Sequence, residues 1–353
     1  MEGEIRNVIA VWFTVLASLC YCHAAAKFVG GSGARLCAFV PIICLFLYLP
    51  LELTTIHFGS TTAFFISWLA NFKLLLFAFG KGPLSSDPPV SLRHFILLAC
   101  LPIKPQPQKP QGKEITTKSC HKSPLDYATK IGLLLVFVQV YRHKELVHPG
   151  ILPALYGFHI YFTLELLLAM AAAVVRALTH LELEPQFDEP FLSTSLQDFW
   201  GRRWNLVVTG ILRPSVYDPV RSISRRVVGP KWAALSATLA TFLVSGLMHE
   251  LIFYYAGRRK PTLEVTAFFL IHGVCLAAEI NIKKALNGKF RLPEIVSRPL
   301  VICFVMVTGL WLFLPPILRF EADVRAQRET AAFVEFMMHA IGASGSKSYN
   351  QTN

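Results

Sequence analysis

The sequence is poor in charged residues. Only 16% of its 353 residues are Asp, Glu, Lys or Arg, whereas soluble domains usually carry about 25%. With 54% hydrophobic residues and a mean hydropathy of +0.48, this shortage argues against a soluble globular protein. Several charge-poor windows are long enough to cross a bilayer, which takes about 20 residues. The clearest runs from Leu300 to Leu318. The composition predicts an all-α fold, a polytopic transmembrane helical bundle.

Several catalytic and binding signatures are also missing. The sequence has no GxSxG elbow, no Walker loop and no GxGxxG after a strand, which disfavours serine hydrolysis, P-loop chemistry and dinucleotide binding. None of the eleven histidines lies three or four residues from another, so the histidine clusters of membrane di-iron enzymes are absent and no metal site is expected. The eight cysteines lack CxxC spacing and indicate small buried side chains. No internal repeat supports a transporter with inverted repeats.

Eight membrane spans are predicted, and seven to nine fit the pattern. The N-terminal segment is interpreted as a retained helix because Glu2 and Glu4 oppose Arg6 in its leader, and a signal peptide needs a positive leader. The apolar stretch 91–103 is too short to span and is expected to lie in the interface or to re-enter. The predicted spans are 8–27, 35–53, 57–79, 125–141, 150–176, 233–255, 263–282 and 299–319.

Residues 1–353 are interpreted as a single polytopic membrane domain that contains two long polar segments. Residues 80–124 are rich in Pro, Gln and Lys and are predicted to form a flexible basic loop. Residues 180–232 form a second basic loop, and residues 233–320 hold the C-terminal helices. The net charge of +12 falls mainly in loops, so the positive-inside bias predicts that both loops are cytosolic. The expected partners are membrane lipids, not nucleic acid.

One helix carries a stripe of polar residues. Thr238, Thr241, Ser245 and His249 are spaced by 3, 4 and 4 residues, which places them on one face of a helix. A titratable side chain in hydrocarbon is costly, so it marks a function or a partner. His249 either ties helices together by a hydrogen bond or serves as a general base, since a neutral histidine can accept a proton. Glu250 forms the only adjacent His-Glu pair with it.

Other polar positions in the predicted spans are weaker candidates. His272, Cys275 and Glu279 form a second stripe at helical spacing, for which support of the site or helix packing is expected more than direct catalysis. The remaining weak candidates are His57, Asn71, His159 and Glu165.

Two segments carry a resemblance to a known family. FWGRRWN (residues 199–205) and SGLMHEL (245–251), with WLANFKLLLFAFGKGPL (68–84), resemble the plant wax synthases. These are long-chain-alcohol O-fatty-acyltransferases of the membrane-bound O-acyltransferase superfamily. In the related sterol and diacylglycerol acyltransferases the first motif reads F-Y-x-D-W-W-N. Phe199, Trp204 and Asn205 match that pattern, whereas Arg202 and Arg203 replace Asp and Trp, as in the wax-synthase branch.

The resemblance implies a reaction and its participants. His249 would be the catalytic histidine and Asn205 the second family position, with an acyl-CoA co-substrate, no other cofactor, and a location in the endoplasmic reticulum membrane. The expected reaction forms a wax ester from a fatty acyl-CoA and a long-chain alcohol, with His249 as general base and no acyl-enzyme. Glu250 would orient or tune His249, and Asn205 would donate a hydrogen bond near the oxyanion. Sterol or diacylglycerol acceptors stay open, as does a transporter or lipid-binding protein.

The motif residues are also candidates for substrate binding. Arginine binds phosphate in a bidentate manner, so Arg202 and Arg203 would either hold the CoA phosphates or anchor the loop to anionic headgroups. For the arginines at 221, 225 and 226 the headgroup interpretation is favoured. If the histidine helix begins near Trp232, His249 lies about 25 Å along it. A reaction chamber that contains His249 must then be deep, unless the helix begins later. The remaining predicted substrate-binding residues are Phe199, Trp200, Trp204 and Ser245.

Overall fold

The computed structural model describes residues 1–85, 90–105, 123–148, 150–179, 181–286 and 292–340. These residues form helices and no β-strands. An isolated β-bridge joins Pro105 to Leu183. Helices suit a bilayer because each apolar segment satisfies its own backbone hydrogen bonds, for which lipid offers no partner. The predicted all-α fold is therefore confirmed.

Twelve helices organise the part of the chain that the structure describes. They are α1 (Glu2–Phe28), α2 (Ser32–Glu52), α3 (Ile56–Ala78), α4 (Leu92–Cys100), α5 (Pro124–Arg142), α6 (Leu152–Thr179), α7 (Leu206–Leu212), α8 (Asp218–Val227), α9 (Pro230–Gly257), α10 (Glu264–Ala285), α11 (Glu294–Arg319) and α12 (Ala322–Ala340). Short π-helical turns interrupt α3 at Ala63–Ala70 and α11 at Gly309–Phe313, and a 3₁₀ turn, Leu49–Glu52, ends α2. Other short turns lie at Lys144–Leu146 and Pro190–Leu192.

Within the described ranges, seven of these helices are long and apolar enough to cross a membrane, judged by length and composition: α1, α2, α3, α6, α9, α10 and α11. This number lies inside the predicted range of seven to nine. The remaining predicted span, 125–141, does form a helix, α5, but it is not among the seven. Polar side chains lower its hydropathy, and one of them, Lys130, forms an ion pair of 2.7 Å with Glu165 of α6.

The two predicted polar loops contain more regular structure than expected, and they meet. Lys104 forms an ion pair of 2.7 Å with Glu184, and the Glu184 N–H donates to the Lys104 carbonyl. These contacts hold Lys104 of the first loop against Glu184 of the second. The first loop contains α4, whose Phe95 is fully buried, and the second contains α7 and α8. Residues 86–89 and 106–122 of the predicted flexible loop lie outside the described residues.

One basic run does not fit the positive-inside bias, because the predicted alternation puts residues 258–260 on the side opposite the cytosol. In the structure Arg258, the first residue of this run, binds the end of a neighbouring helix. The Arg258 guanidinium donates to the carbonyls of Pro50, Leu51 and Leu53 at 2.9 to 3.1 Å, where α2 ends. Carbonyls at a helix C-terminus lack intrahelical partners and favour a cation. Arg258 thus joins α9 to α2.

Helices α9 and α10 pack very closely, and this brings His249 to its neighbours. A Cβ added at Gly246 would lie 2.8 Å from the Thr266 Cα, and one at Gly273 would lie 3.1 Å from the Phe242 Cβ. Small residues permit such close approach of two membrane helices. The predicted consequence is that the glycine at 246 cannot be enlarged without moving α10.

We therefore expect Gly246→Ala to destabilise the protein. The new methyl group would meet backbone, which cannot turn away as a flexible side chain can, and overpacking of this kind typically costs about 1–3 kcal/mol. The melting temperature of the detergent-solubilised protein measures the effect. Gly132→Ala is the matched control, because a Cβ there has nothing within 4 Å. Equal melting temperatures for the two variants would contradict the close packing.

Candidate active site

The segment SLQDFWGRRWN folds into two short turns followed by a helix start. Leu196–Asp198 forms one helical turn, which the Ser195 hydroxyl caps by accepting from the Asp198 N–H at 3.0 Å. Phe199–Arg203 continues as a π-helical turn, and Asn205 then begins α7. Phe199 and Asp198 are both buried. The segment is therefore folded into the protein and is not an exposed charged patch.

Asp198 explains why two adjacent arginines occur in this motif. Its two carboxylate oxygens lie 3.0 Å from Nε of Arg202 and 2.9 Å from Nε of Arg203. Burial alone would raise the pKa of Asp198, but hydrogen bonds from Arg203 and from the Thr194 N–H outweigh it and lower that pKa. Arg203 is 23% exposed and also donates to the Asp188 carbonyl, whereas Arg202 is 73% exposed. Arg203 thus holds the motif together, and Arg202 faces solvent or headgroups.

Trp200 is anchored by a chain of hydrogen bonds in which every proton can be placed. An indole nitrogen only donates, so the Trp200 N–H donates to Nδ1 of His272 at 3.0 Å. His272 then carries its proton on Nε2 and donates to the Thr308 hydroxyl at 2.8 Å. That hydroxyl donates to the Phe304 carbonyl at 2.7 Å. Both nitrogens of the fully buried His272 are used, so this residue positions the motif and is not free to act as a base.

Glu279 anchors the same motif at Leu196, four residues before Trp200 in the chain. Its carboxylate accepts from the Leu196 N–H at 2.7 Å and pairs with Lys283 at 2.7 Å. The first N–H groups of a helical turn lack intrahelical partners, and a carboxylate stabilises them. The stripe expected on α10 therefore serves to attach the motif to that helix through His272 and Glu279.

His249 lies in an aromatic environment with one nitrogen committed and the other available. Its Nδ1 is 2.7 Å from the Ser245 carbonyl, which can only accept, so Nδ1 carries the proton and Nε2 keeps its lone pair. In the part of the chain that the structure describes, no hydrogen-bond partner of Nε2 is present. The ring centroids of Trp68, Phe269 and Phe313 lie 5.0, 4.6 and 5.6 Å from that of His249. This tautomer suits proton acceptance at Nε2.

The expected interaction between Glu250 and His249 does not form. The Glu250 carboxylate accepts from the Thr266 N–H at 3.2 Å, in the first turn of α10, where a helix favours a negative charge. Adjacent residues of a helix do not face each other, which is the physical reason for the difference. The Ser245 carbonyl orients His249 instead, so Ser245 acts through its backbone.

The rest of the polar stripe on α9 is satisfied locally. The hydroxyl of Thr238 donates to the Ala234 carbonyl at 2.9 Å, and that of Thr241 donates to the Ala237 carbonyl at 2.8 Å. These hydroxyls back-bond to their own helix, as threonine commonly does. The two threonines are thus satisfied by their own helix, whereas Nε2 of His249 has no partner among the described residues.

Asn205 has a conformation and a cap that few other residues supply. Its φ is +37°, in the left-handed region that Asn tolerates better than most residues. Its Oδ1 accepts from the Val208 N–H at 3.2 Å, which leaves the side-chain NH₂ group as the donor for other partners. Among the described residues no hydrogen bond joins Asn205 to His249. The link between the motif and His249 runs through Phe269, whose ring centroid lies 5.8 Å from that of Trp200.

The comparisons with known proteins agree with these features. The profile of the Membrane bound O-acyl transferase family matches residues 183–271, which include Asn205 and His249. Acyl-CoA–sterol O-acyltransferase 1 of Arabidopsis thaliana is 47% identical over 337 residues, covering 94% of this chain and 96% of that protein. The chain belongs to the membrane-bound O-acyltransferase family. The family expected from the two motifs is therefore confirmed, and the protein is an O-acyltransferase.

Two further relatives of this O-acyltransferase carry names that specify an alcohol acceptor. The long-chain-alcohol O-fatty-acyltransferase of Simmondsia chinensis is 44% identical over 330 residues, covering 92% of this chain and 93% of that protein. The probable long-chain-alcohol O-fatty-acyltransferase 1 of Arabidopsis thaliana is 45% identical over 330 residues, covering 92% and 95%. Similarity at this level extends over nearly the whole length of each protein.

The depth of the acyltransferase site follows from where α9 begins. The helix begins at Pro230, so the alternative of a later start is wrong, and His249 lies roughly 28 Å along it at 1.5 Å per residue. The motif extends into the bundle, because Trp200 packs against Phe242 and His272, which lie well inside α9 and α10.

The sequence alone does not indicate that Trp68, Phe269 and Phe313 are neighbours of His249. An aromatic residue in an apolar helix carries no local signal that separates packing from a site. Only for Trp68 does the sequence give an indication, because this residue lies in the segment 68–84 that resembles the wax synthases. Trp68 is 2% exposed, and its indole N–H is buried without a hydrogen-bond partner among the described residues. A buried donor of this kind requires a physical explanation.

Proposed function

We propose that this O-acyltransferase transfers a fatty acyl group from acyl-CoA to a long-chain alcohol and forms a wax ester. The observation that carries the proposal is His249, whose Nδ1 donates to the Ser245 carbonyl and whose Nε2 has no partner among the described residues, with aromatic rings around it. The relatives named long-chain-alcohol O-fatty-acyltransferase support the donor and the acceptor class. The proposed location is the endoplasmic reticulum membrane.

In the proposed mechanism the alcohol attacks the thioester directly. Nε2 of His249 removes the hydroxyl proton as the alcohol oxygen bonds to the thioester carbon, and the carbon–sulfur bond then breaks. The CoA sulfur leaves and takes up the proton from His249, so protons balance without an acyl-enzyme. A positioned base contributes typically about 10²- to 10⁴-fold. The NH₂ group of Asn205 supplies a hydrogen bond to the oxyanion in this mechanism.

The two motif arginines have different expected roles. Arg202→Ala should raise the KM for acyl-CoA with little change in melting temperature, because its ion pair is exposed and such pairs contribute about 0–1 kcal/mol. Arg203→Ala should lower the melting temperature, because Arg203 is only 23% exposed and the change removes its bonds to both the buried Asp198 and the Asp188 carbonyl. Thermal melts and acyl-CoA titrations of both variants separate the roles. An unchanged KM for Arg202→Ala would favour a headgroup contact, and an unchanged melt for Arg203→Ala would contradict its structural role.

A feeding experiment tests the proposed function. The protein is expressed in a microbe that lacks wax esters, and cultures receive a fatty alcohol, a sterol or a diacylglycerol before lipid chromatography. Wax ester with the fatty alcohol, lost in a His249→Ala strain, is the expected result. No new ester in any culture would contradict the substrates proposed here and would favour transport or lipid binding.

A sterol acceptor is the second candidate, and one observation favours it. The relative named acyl-CoA–sterol O-acyltransferase is 47% identical to this chain, against 44% and 45% for the two alcohol acyltransferases. In the same experiment, steryl ester without wax ester would select this candidate.

A further inference from the structure

An apolar cavity adjoins the motif on the side away from His249. Its volume is about 90 Å³, well above the roughly 10–15 Å³ that one water molecule needs. The motif contributes Phe199 and Trp204 to its wall, and the rest comes from α6, α11 and the turn at Pro190–Leu192. Nearly all of the lining is apolar, and an apolar cavity of this kind takes up hydrocarbon in preference to water.

The cavity is connected to His249 by a continuous row of aromatic rings. Phe199 contacts Trp200 at 5.0 Å between ring centroids, Trp200 contacts Phe269 at 5.8 Å, and Phe269 contacts His249 at 4.6 Å. These rings form an apolar surface between His249 and the cavity, against which a hydrocarbon chain with its reacting end at His249 would have to pack to place its far end in the cavity. A rigid ring system would not fit a space of this volume as well as one flexible chain.

We propose that this cavity holds the methyl end of one substrate chain and that Gly157 limits the length of that chain. The inference rests on the proposed function. Gly157 lines the cavity from α6, and a Cβ added there would lie 3.6 Å from the Met306 Cε across it. The one atom near such a Cβ belongs to the end of a flexible side chain and not to backbone, so a larger side chain at this position is expected to extend into the cavity. The acyl donor and the alcohol both end in an alkyl chain, and the apolar cavity could hold either chain.

The test compares Gly157→Leu with Gly132→Leu, a control in α5 where an added Cβ has nothing within 4 Å. Both replace a helical glycine by a better helix former, so neither should lower the melting temperature. Two series are measured, acyl-CoAs of increasing length with one alcohol, and alcohols of increasing length with one acyl-CoA. Gly157→Leu should leave short chains unaffected and lower kcat/KM for long chains in one series. The expected loss is about fourfold for each methylene group that no longer fits.

Each outcome has a distinct meaning. A shift in the acyl-CoA series assigns the cavity to the donor, and a shift in the alcohol series assigns it to the acceptor. Unchanged profiles in both series would overturn the inference, because the cavity would then hold at most a membrane lipid. Occupancy of the cavity is measured without turnover by photolabelling the protein with a fatty alcohol and with a fatty acid, each of which carries a photoreactive group at its methyl end. If the wild type forms no ester but labels at Met306, the proposed function fails while the cavity assignment stands.

A second inference comes from Trp68, which lies in another part of the site. The ring centroids of Trp68 and His249 lie 5.0 Å apart with an interplanar angle of 77°, and the Trp68 N–H is buried and unpaired among the described residues. A buried donor that has no partner destabilises a protein. An N–H directed at the ring of Phe64, 5.6 Å away, would be the structural explanation.

We infer that the Trp68 N–H donates to the thioester oxygen of the substrate when the chamber is occupied. As the alcohol attacks, negative charge grows on that oxygen, and a positioned donor stabilises it more than it stabilises the ground state. Trp68 would then act as a second donor in addition to Asn205. Helices α3 and α7 pack together through Leu69 and Val207.

Trp68→Phe removes the donor and keeps an aromatic ring. It should lower kcat by about 10²- to 10³-fold with little change in KM, as the loss of one oxyanion donor does. The melting temperature should stay the same or rise, because a buried unpaired N–H is gone. A lowered melting temperature with unchanged kcat would instead support the structural explanation and overturn the inference. Trp311→Phe is the control, since Trp311 is 67% exposed.

Discussion

His249→Ala is expected to lower the rate of ester formation by about 10²- to 10⁴-fold, the usual contribution of a general base. The alanine removes the Nε2 lone pair, while the Ser245 carbonyl keeps its backbone hydrogen bond within α9. We expect kcat to fall while the protein still accumulates and binds acyl-CoA. Single-turnover assays with purified protein, together with acyl-CoA binding, measure both effects.

The control for this variant is Leu247→Ala, on the exposed face of the same helix. It should keep near-normal activity, since it removes no group of the chamber. Near-normal ester formation by His249→Ala would rule out its assignment as the base. An equal loss of activity and acyl-CoA binding would point to a structural or binding role for this histidine.

Asn205→Asp is expected to lower kcat by at least about 10²- to 10³-fold with little loss of stability. The aspartate keeps an oxygen that accepts from the Val208 N–H, and it tolerates the left-handed conformation. It lacks the NH₂ donor, however, and its charge would repel the developing oxyanion. Asn205→Ala should lose activity and also about 1 kcal/mol of stability, because both the cap and the tolerated conformation are lost.

Melting temperatures and kcat of the two Asn205 variants separate capping from catalysis. If Asn205→Asp kept wild-type turnover, Asn205 would be a helix cap only. If both variants lost stability equally, the assignment of Oδ1 to the Val208 N–H would be contradicted.

Much of the bundle could be anticipated because long apolar runs leave few alternatives in a membrane. Seven of the eight predicted spans correspond to helices that are apolar and long enough to cross. The exception, 125–141, has the length of a span, but its polar residues interrupt the apolar run. Spacing along one helix likewise identified the stripe that contains His249, because a helix repeats every 3.6 residues whatever surrounds it.

Partners across the fold could not be read in the same way. Glu250 lies next to His249 in the chain, yet its carboxylate bonds to α10, because consecutive helical residues point in different directions. The two arginines of the motif were expected to bind phosphates or headgroups, whereas both pair with Asp198, four and five positions before them. Trp68 lies 181 positions before His249, and no local pattern could connect them.

For this O-acyltransferase, composition and periodicity are local properties, and they were sufficient for the helical membrane fold, the family motifs and the candidate base. The atom of His249 that can take a proton, the anchoring of Trp200 on His272 and the cavity beside Gly157 required the folded chain. The physical reason is that hydrogen bonds and cavities depend on distances between segments that are remote in sequence. Those distances are set by the packing of α3, α6, α9, α10 and α11 around the motif, which no single segment encodes.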